Sequence, residues 1–335
     1  MTHTGSLAPL GTGSLQGWVP MSLTRTALHF TTGLAAVGAG GLAYASLIER
    51  NAFTLRRASV PVLPPSAASL RVLHISDIHL VPRQGRKITW IRSLAALRPD
   101  LVINTGDNLG DLEGVPAVLR ALEPLLEIPG AFVMGSNDYF APALKNPARY
   151  LTKEHDRQSA TLPLPTDDLV KAFRSAGWAD LNNARSTLSI GGQALELVGV
   201  DDPHLKYDRY AAVAGSRDPK AALTVGVTHA PYRRILDSMT ADGAGLVFAG
   251  HTHGGQLCLP FYGTLVTNCD LDRHRAKGVS RWWPGAGATP SSEAPSDAAW
   301  LQVSAGLGTS PYAPVRFACR PEATLLTLTA KPSGS

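Results

Sequence analysis

Short apolar, β-favouring runs recur along the chain, and most of them end in an acidic, amide or imidazole side chain. RVLHIS, DLVINT, GAFVMG, LTVGVTH, GLVFAGH and ATLLTLT are nearly continuous in their hydrophobicity. That pattern belongs to strands covered on both faces, since a strand with one wet face alternates apolar and polar residues. Helical periodicity is found near residues 86–98, 112–126, 167–176 and 232–241, with Thr166, Asp167 and Asp168 read as a cap and first turn. STLSI and ALELVGV, joined by Gly191-Gly192, read as a hairpin. An α/β fold follows, with mixed sheets and helices on their outer faces.

The ends of these runs carry the chemistry. Asp77 and His79 close the first run, Asp107 the second, Asn137 and Asp138 the third, His229 the fourth, and His251 and His253 the fifth. In an open α/β sheet the carboxyl ends of the strands gather on one rim, where ligands bind, so these residues are expected to meet. Carboxylate, amide oxygen and imidazole are donors that Mn, Zn, Fe or Ni ions accept. Two such ions about 3.5–4 Å apart can polarise a phosphoryl group and turn a bound water into hydroxide at neutral pH. One carboxylate must bridge them, and Asp107, in a tight turn after Gly106, is the candidate.

DIH, GDN and GHTHGG occur in that order over residues 71–260, with a lone His229 before the last. In this the chain resembles the calcineurin-like metallophosphoesterase superfamily, whose pattern is D-x-H, G-D, G-N-H-D/E, H and G-H-x-H. The closing stretch GLGTSPYAPVRFACRPEATLLTLT is similar to the end of that superfamily's membrane-anchored bacterial branch. The resemblance implies a four-layer α/β/β/α sandwich of two mixed sheets. It also implies that Asp77, His79, Asp107 and His253 hold a first divalent ion, and Asp107, an Asn, His229 and His251 a second. Catalysis would centre on Asp107, Asn137 and His229. The implied activity is hydrolysis of a phosphodiester or related phosphoester by metal-bound hydroxide. The alternative is a catalytically weakened metal-binding scaffold or sensor of the same fold.

One motif departs from the pattern. Where the superfamily has G-N-H-D, this chain reads Gly135-Ser136-Asn137-Asp138. Aligned without a gap, Ser136 takes the place of the ligand Asn. A one-residue shift puts Asn137 there instead, and an amide oxygen suits a metal better than a hydroxyl. Either way the leaving-group histidine is missing, which favours diesters or good leaving groups. Asn104, Asn108 and Asp138 are read as orienting ligands or capping turns rather than binding metal. Asp201-Asp202-Pro203-His204 is read as a turn at the substrate rim rather than a second acidic site, and Arg316 and Arg320 as surface or structural pairs rather than phosphate contacts.

Ahead of the globular part, residues 1–26 read as a disordered leader. Residues 27–48 hold no charge and, at about 1.5 Å per residue, are long enough to cross a membrane as a helix. A cleaved signal ending at Ala43-Tyr44-Ala45 is the competing reading, and the length of the apolar stretch favours a single-pass anchor. Basic residues are denser after the segment than before it, too few to fix the side of the membrane. Residues 49–69 read as a linker, Pro-stiffened over 58–69, and 70–332 as the phosphoesterase domain. Of the formal net charge of +5, Arg25, Arg50, Arg56 and Arg57 against Glu49 place most before Leu70. The remainder forms no basic stripe, which argues against a nucleic-acid partner. Nothing in the sequence points to a protein partner. Cys258, Cys269 and Cys319 read as structural thiols, since three cysteines cannot form a disulfide framework.

Overall fold

The computed structural model describes residues 1–2, 23–142 and 162–332. The chain divides into two units, Met1–Ala43 and Tyr44–Ser335. In the first, helix α1 spans Leu23–Ala43. The expected leader falls largely on residues 3–22, outside the described residues. A helical run, Thr31–Asn51, is long and apolar enough to cross a membrane, with a mean hydropathy of 1.3.

The second unit is built on two six-stranded mixed sheets. In the first sheet, β1 (Thr54–Leu63), β14 (Glu322–Ala330), β2 (Leu70–Ile75), β3 (Leu101–Asn104), β4 (Gly130–Phe132) and β5 (Ala179–Asp180) lie side by side in that order. The second runs β12 (Gly278–Trp282), β13 (Ala299–Val303), β9 (Leu246–Ala249), β8 (Leu223–Val227), β7 (Gln193–Gly199) and β6 (Ala184–Ile190). The hairpin across Gly191-Gly192 forms as expected, pairing Ile190 with Gln193.

Side-chain alternation along each strand sorts the apolar residues into layers. On β2, Val72 faces the other sheet and joins Ile103, Val133, Leu197, Val227 and Phe248 in a core between the sheets. Its neighbours Leu73 and Ile75 turn outward to Leu122 and Leu125 of α3 (Gly114–Leu126) and Phe173 of α5 (Thr166–Ser175). On the far face Val247 and Leu301 meet Ile235, Leu236 and Met239 of α6 (Arg233–Ala241). Covered on both faces, the strands could stay apolar throughout, and the result is the four-layer α/β/β/α sandwich. Thr166 is the first residue of α5 rather than its cap, and its hydroxyl donates to the Asp138 carbonyl at 2.6 Å.

The linker expected over residues 49–69 is corrected. Its middle is β1, paired in parallel with β14 from Thr54↔Glu322 onward, with Val60 and Leu63 fully buried. Pro61 lacks the N–H that an inner strand would need, but β1 lies at the sheet edge, where that loss is tolerated. A bulge between Pro61 and Leu63 absorbs the irregularity.

Candidate metal centre

The loops after β2, β3, β4, β8 and β9 bring the acidic, amide and imidazole residues into one cluster. Asp77, His79, Asp107, His251 and His253 all sit in left-handed backbone, with φ of 50°, 42°, 56°, 68° and 50°. Such a conformation costs a non-glycine residue on the order of 1–3 kcal/mol and persists where the surroundings over-determine it, characteristically at functional sites. Close packing holds the cluster: a Cβ on Gly135 would lie 2.4 Å from Asp107 Oδ1 and 2.7 Å from the His229 ring.

Asp77, His79, Asp107 and His253 each offer a ligand atom within 4.8 Å of the others. His79 Nε2 lies 3.2 Å from His253 Nε2 and 3.5 Å from Asp107 Oδ2, and His253 Nε2 is 3.6 Å from Asp77 Oδ1. The other oxygen of Asp107 faces away from that group: Oδ1 is 3.5 Å from His229 Nε2, itself 3.3 Å from His251 Nδ1. Asn137, on the short helix α4 (Ser136–Tyr139), joins through Asp107, its backbone N–H donating to Oδ1 and its Nδ2 to Oδ2, both at 2.7 Å. Asp77, His79, Asp107 and His229 are almost wholly buried.

This donor set fits divalent ions. Ligands about 2.1 Å from a common ion at a tetrahedral angle lie about 3.4 Å apart, which the nitrogen and oxygen separations match. His79 Nδ1 is buried without a partner among the described residues. Burial holds the His79 imidazole down to about 4 against the pull of Asp107, and it holds His251 and His253 well below the ordinary value. These rings are therefore neutral, the state in which they can ligate. Burial pushes the Asp77 carboxyl up to about 6, partly offset by His229. For His229 burial acts downward, but Asp107, Asp77 and Asp202 outweigh it and hold the imidazole up at about 9.

Surrounding groups fix the orientation of these residues. His229 Nδ1 lies 2.7 Å from the Thr105 carbonyl and His251 Nε2 3.3 Å from that of Asn268, which leaves the other ring nitrogen of each facing the cluster. Asp138 accepts the N–H groups of Asp107, Asn108, Leu109 and Gly135, clamping the turn that carries Asp107. Asn104 donates to Asn108 Oδ1 at 2.7 Å and accepts from the Gly106 N–H at 2.8 Å. Asp202 accepts from the His204 N–H, and the His204 ring lies 4.7 Å from that of His251, so the Asp201–His204 turn borders the cluster. Arg316 is fully buried, donating to the carbonyls of Ala305, Gly306, Gly308 and Cys319, with Nη2 3.5 Å from His253 Nδ1. The parts played by the Thr105 and Asn268 carbonyls had no signal in the sequence, because any residue carries a carbonyl.

Residues 70–255 match the family model described as calcineurin-like phosphoesterase. The uncharacterized metallophosphoesterase YkuE of Bacillus subtilis (strain 168) is 25% identical over 88% of this chain and 92% of its own length. Phosphodiesterase YaeI of Escherichia coli (strain K12) is 25% identical over 91% of this chain and 99% of its own. The transmembrane protein with metallophosphoesterase domain of Bos taurus is 28% identical over 59% of this chain, which spans 44% of that protein.

Proposed function

The chain belongs to the calcineurin-like phosphoesterase family, and on that premise we propose that it hydrolyses a phosphodiester or related phosphoester with a pair of divalent ions. The observation that carries this reading is the division of Asp107, whose Oδ2 faces His79 while its Oδ1 faces His229. Asp77, His79 and His253 would hold one ion with Oδ2, and His229 and His251 the other with Oδ1; Asn137, expected as a further ligand, instead turns its amide N–H to Oδ2 and would orient the bridge. The mixed oxygen and nitrogen donors suit Mn, Zn, Fe or Ni. Ions held there would polarise the phosphoryl oxygens and lower the pKa of water so that it attacks at neutral pH.

The protein groups provide position and charge. Asn137 donates to both oxygens of Asp107 and so fixes the orientation of the carboxylate that would bridge the ions. That contact puts Asn137, rather than Ser136, against the bridge as a hydrogen-bond donor. Without a histidine in this motif, the leaving group must depart with little help from an acid, which favours diesters over alkyl monoesters. The name of the phosphodiesterase relative agrees with that preference.

Purified protein supplied with Mn²⁺ should cleave bis-p-nitrophenyl phosphate, and Asp107→Asn should abolish the activity. Silence with every one of Mn²⁺, Zn²⁺, Fe²⁺ and Ni²⁺ would overturn the enzymatic reading. A second reading, a metal-binding scaffold with weakened catalysis, is favoured by the same missing histidine. Ser136→Asn combined with Asn137→His tests it, a large gain in rate favouring the weakened form. The apolar run Thr31–Asn51 supports a single-pass anchor as the mode of membrane association.

A further inference from the structure

Three stretches without a charged residue meet on one face of the catalytic unit: Tyr44–Ile48, residues 256–266 and residues 307–315. The second folds as a hairpin of β10 (Cys258–Leu259) and β11 (Gly263–Thr264), with Pro260, Phe261 and Tyr262 at its tip. Contacts weld the three together. The N–H of Cys258 donates to the Phe317 carbonyl at 2.9 Å, and Gln256 Nε2 donates to the Ala313 carbonyl at 2.9 Å. The Phe317 ring stands edge-on to Tyr44 at 6.4 Å, and the Arg316 N–H donates to the Ala45 carbonyl at 3.1 Å.

The face they form is apolar and open. Phe261 is 111% exposed, Leu47 69% and Leu259 50%. Phe261 also holds φ at 67°, a backbone setting uncommon for a bulky side chain. An exposed apolar patch of this kind marks an interaction surface. Its continuity names the partner. Tyr44–Ile48 lies within Thr31–Asn51, the run long and apolar enough to cross a membrane, and also belongs to the catalytic unit. A bilayer spanned by that run would reach this face. The flanking chemistry agrees with a membrane surface: Tyr44 and Tyr262 are amphipathic rings of the type that settle at headgroup depth. The Arg273 guanidinium lies 5.1 Å from the Tyr262 ring centroid and donates to its hydroxyl at 2.8 Å, placing a cation where anionic lipid phosphates would lie.

We infer that this face seats in the surface layer of a lipid bilayer, with Phe261 as its wedge. The hairpin begins a few residues after His253, so the same seating brings the metal centre close to the membrane surface; this consequence rests on the phosphoesterase reading, and the seating itself does not.

The test uses the full chain reconstituted in vesicles of phosphatidylcholine and phosphatidylglycerol. In Phe261→Trp, emission above that of the native tryptophans should shift to the blue and be quenched at least twofold by lipids brominated in the acyl chain. The same probe at Ser189→Trp, exposed on β6, should not respond. Leu259→Trp repeats the measurement if the first variant fails to fold, with circular dichroism and a cooperative thermal transition reporting folding. An unquenched, red-shifted probe at both hairpin positions overturns the inference. So does a blue shift that depends on protein concentration and not on brominated lipid, which would assign the face to a second copy of the chain. Absence of diester hydrolysis in the unsubstituted chain would count against the phosphoesterase reading and leave the fluorescence result to stand on its own.

Discussion

Asn137 grips Asp107 by both oxygens, its backbone N–H on Oδ1 and its side-chain amide on Oδ2, each at 2.7 Å. Only the second contact depends on the side chain. Asn137→Ala should therefore leave the fold intact and let Asp107 rotate, lowering kcat/KM by about 10–100-fold, the usual effect of losing a group that orients a ligand. Steady-state kinetics with metal analysis of the same samples checks this, and unchanged values on both counts would refute the assigned role.

Metal uptake should be coupled to a proton at His229. In the metal-free cluster burial lowers its pKa, yet the Asp107, Asp77 and Asp202 carboxylates hold it up at about 9. Below that pH an ion entering between His229 and His251 must displace a proton, so its apparent affinity should rise about tenfold per pH unit up to about pH 9. Titration calorimetry in buffers of different ionisation enthalpy should register one proton released for this ion.

Arg316 should matter for stability and for the centre together. Its guanidinium satisfies the carbonyls of Ala305, Gly306 and Gly308, and the loop they form bonds back to Asp77, the Gly308 N–H donating to its carbonyl at 2.6 Å. Arg316→Met strands these buried acceptors, at a cost of about 3 kcal/mol or more. We expect Tm to fall by roughly 5–10 °C in calorimetry, with weakened metal retention.

Lys87 gives stability a pH dependence of the opposite sense to that of an ion-paired lysine. It is buried, donates to the Ile78 carbonyl at 2.8 Å, and is lowered to about 7 by burial, then by Arg316 and Arg50. Between that value and the unfolded one near 10.5 the unfolded chain binds the extra proton, so stability rises with pH across this window. Urea titrations of metal-free protein from pH 7 to 10 should show the unfolding free energy rising relative to that of Lys87→Met measured in parallel, a difference in which the opposing contribution of His229 cancels.

The sequence disclosed the strands and the residues at their ends because both obey local rules. Apolar runs such as LVIN and LVFA identify doubly covered strands, and the order of DIH, GDN and GHTH places donors on one rim. What stayed hidden depended on partners far along the chain. The β1 strand contains Pro61 and precedes Pro64-Pro65, and only its pairing with β14 makes it a strand. Arg316 looked like one more basic residue, and its burial under His253 arises from a loop closure that no local pattern encodes.

That pairing bears on how the molecule is made. Because β14 (Glu322–Ala330) lies between β1 and β2 (Leu70–Ile75), the first sheet keeps a slot open until a strand far downstream of both has left the ribosome. At ordinary synthesis rates β1 and β2 wait on the order of ten seconds or more for the strand that joins them. Over that interval their unpaired edges are exposed to mispairing, which β14 ends when it fills the slot.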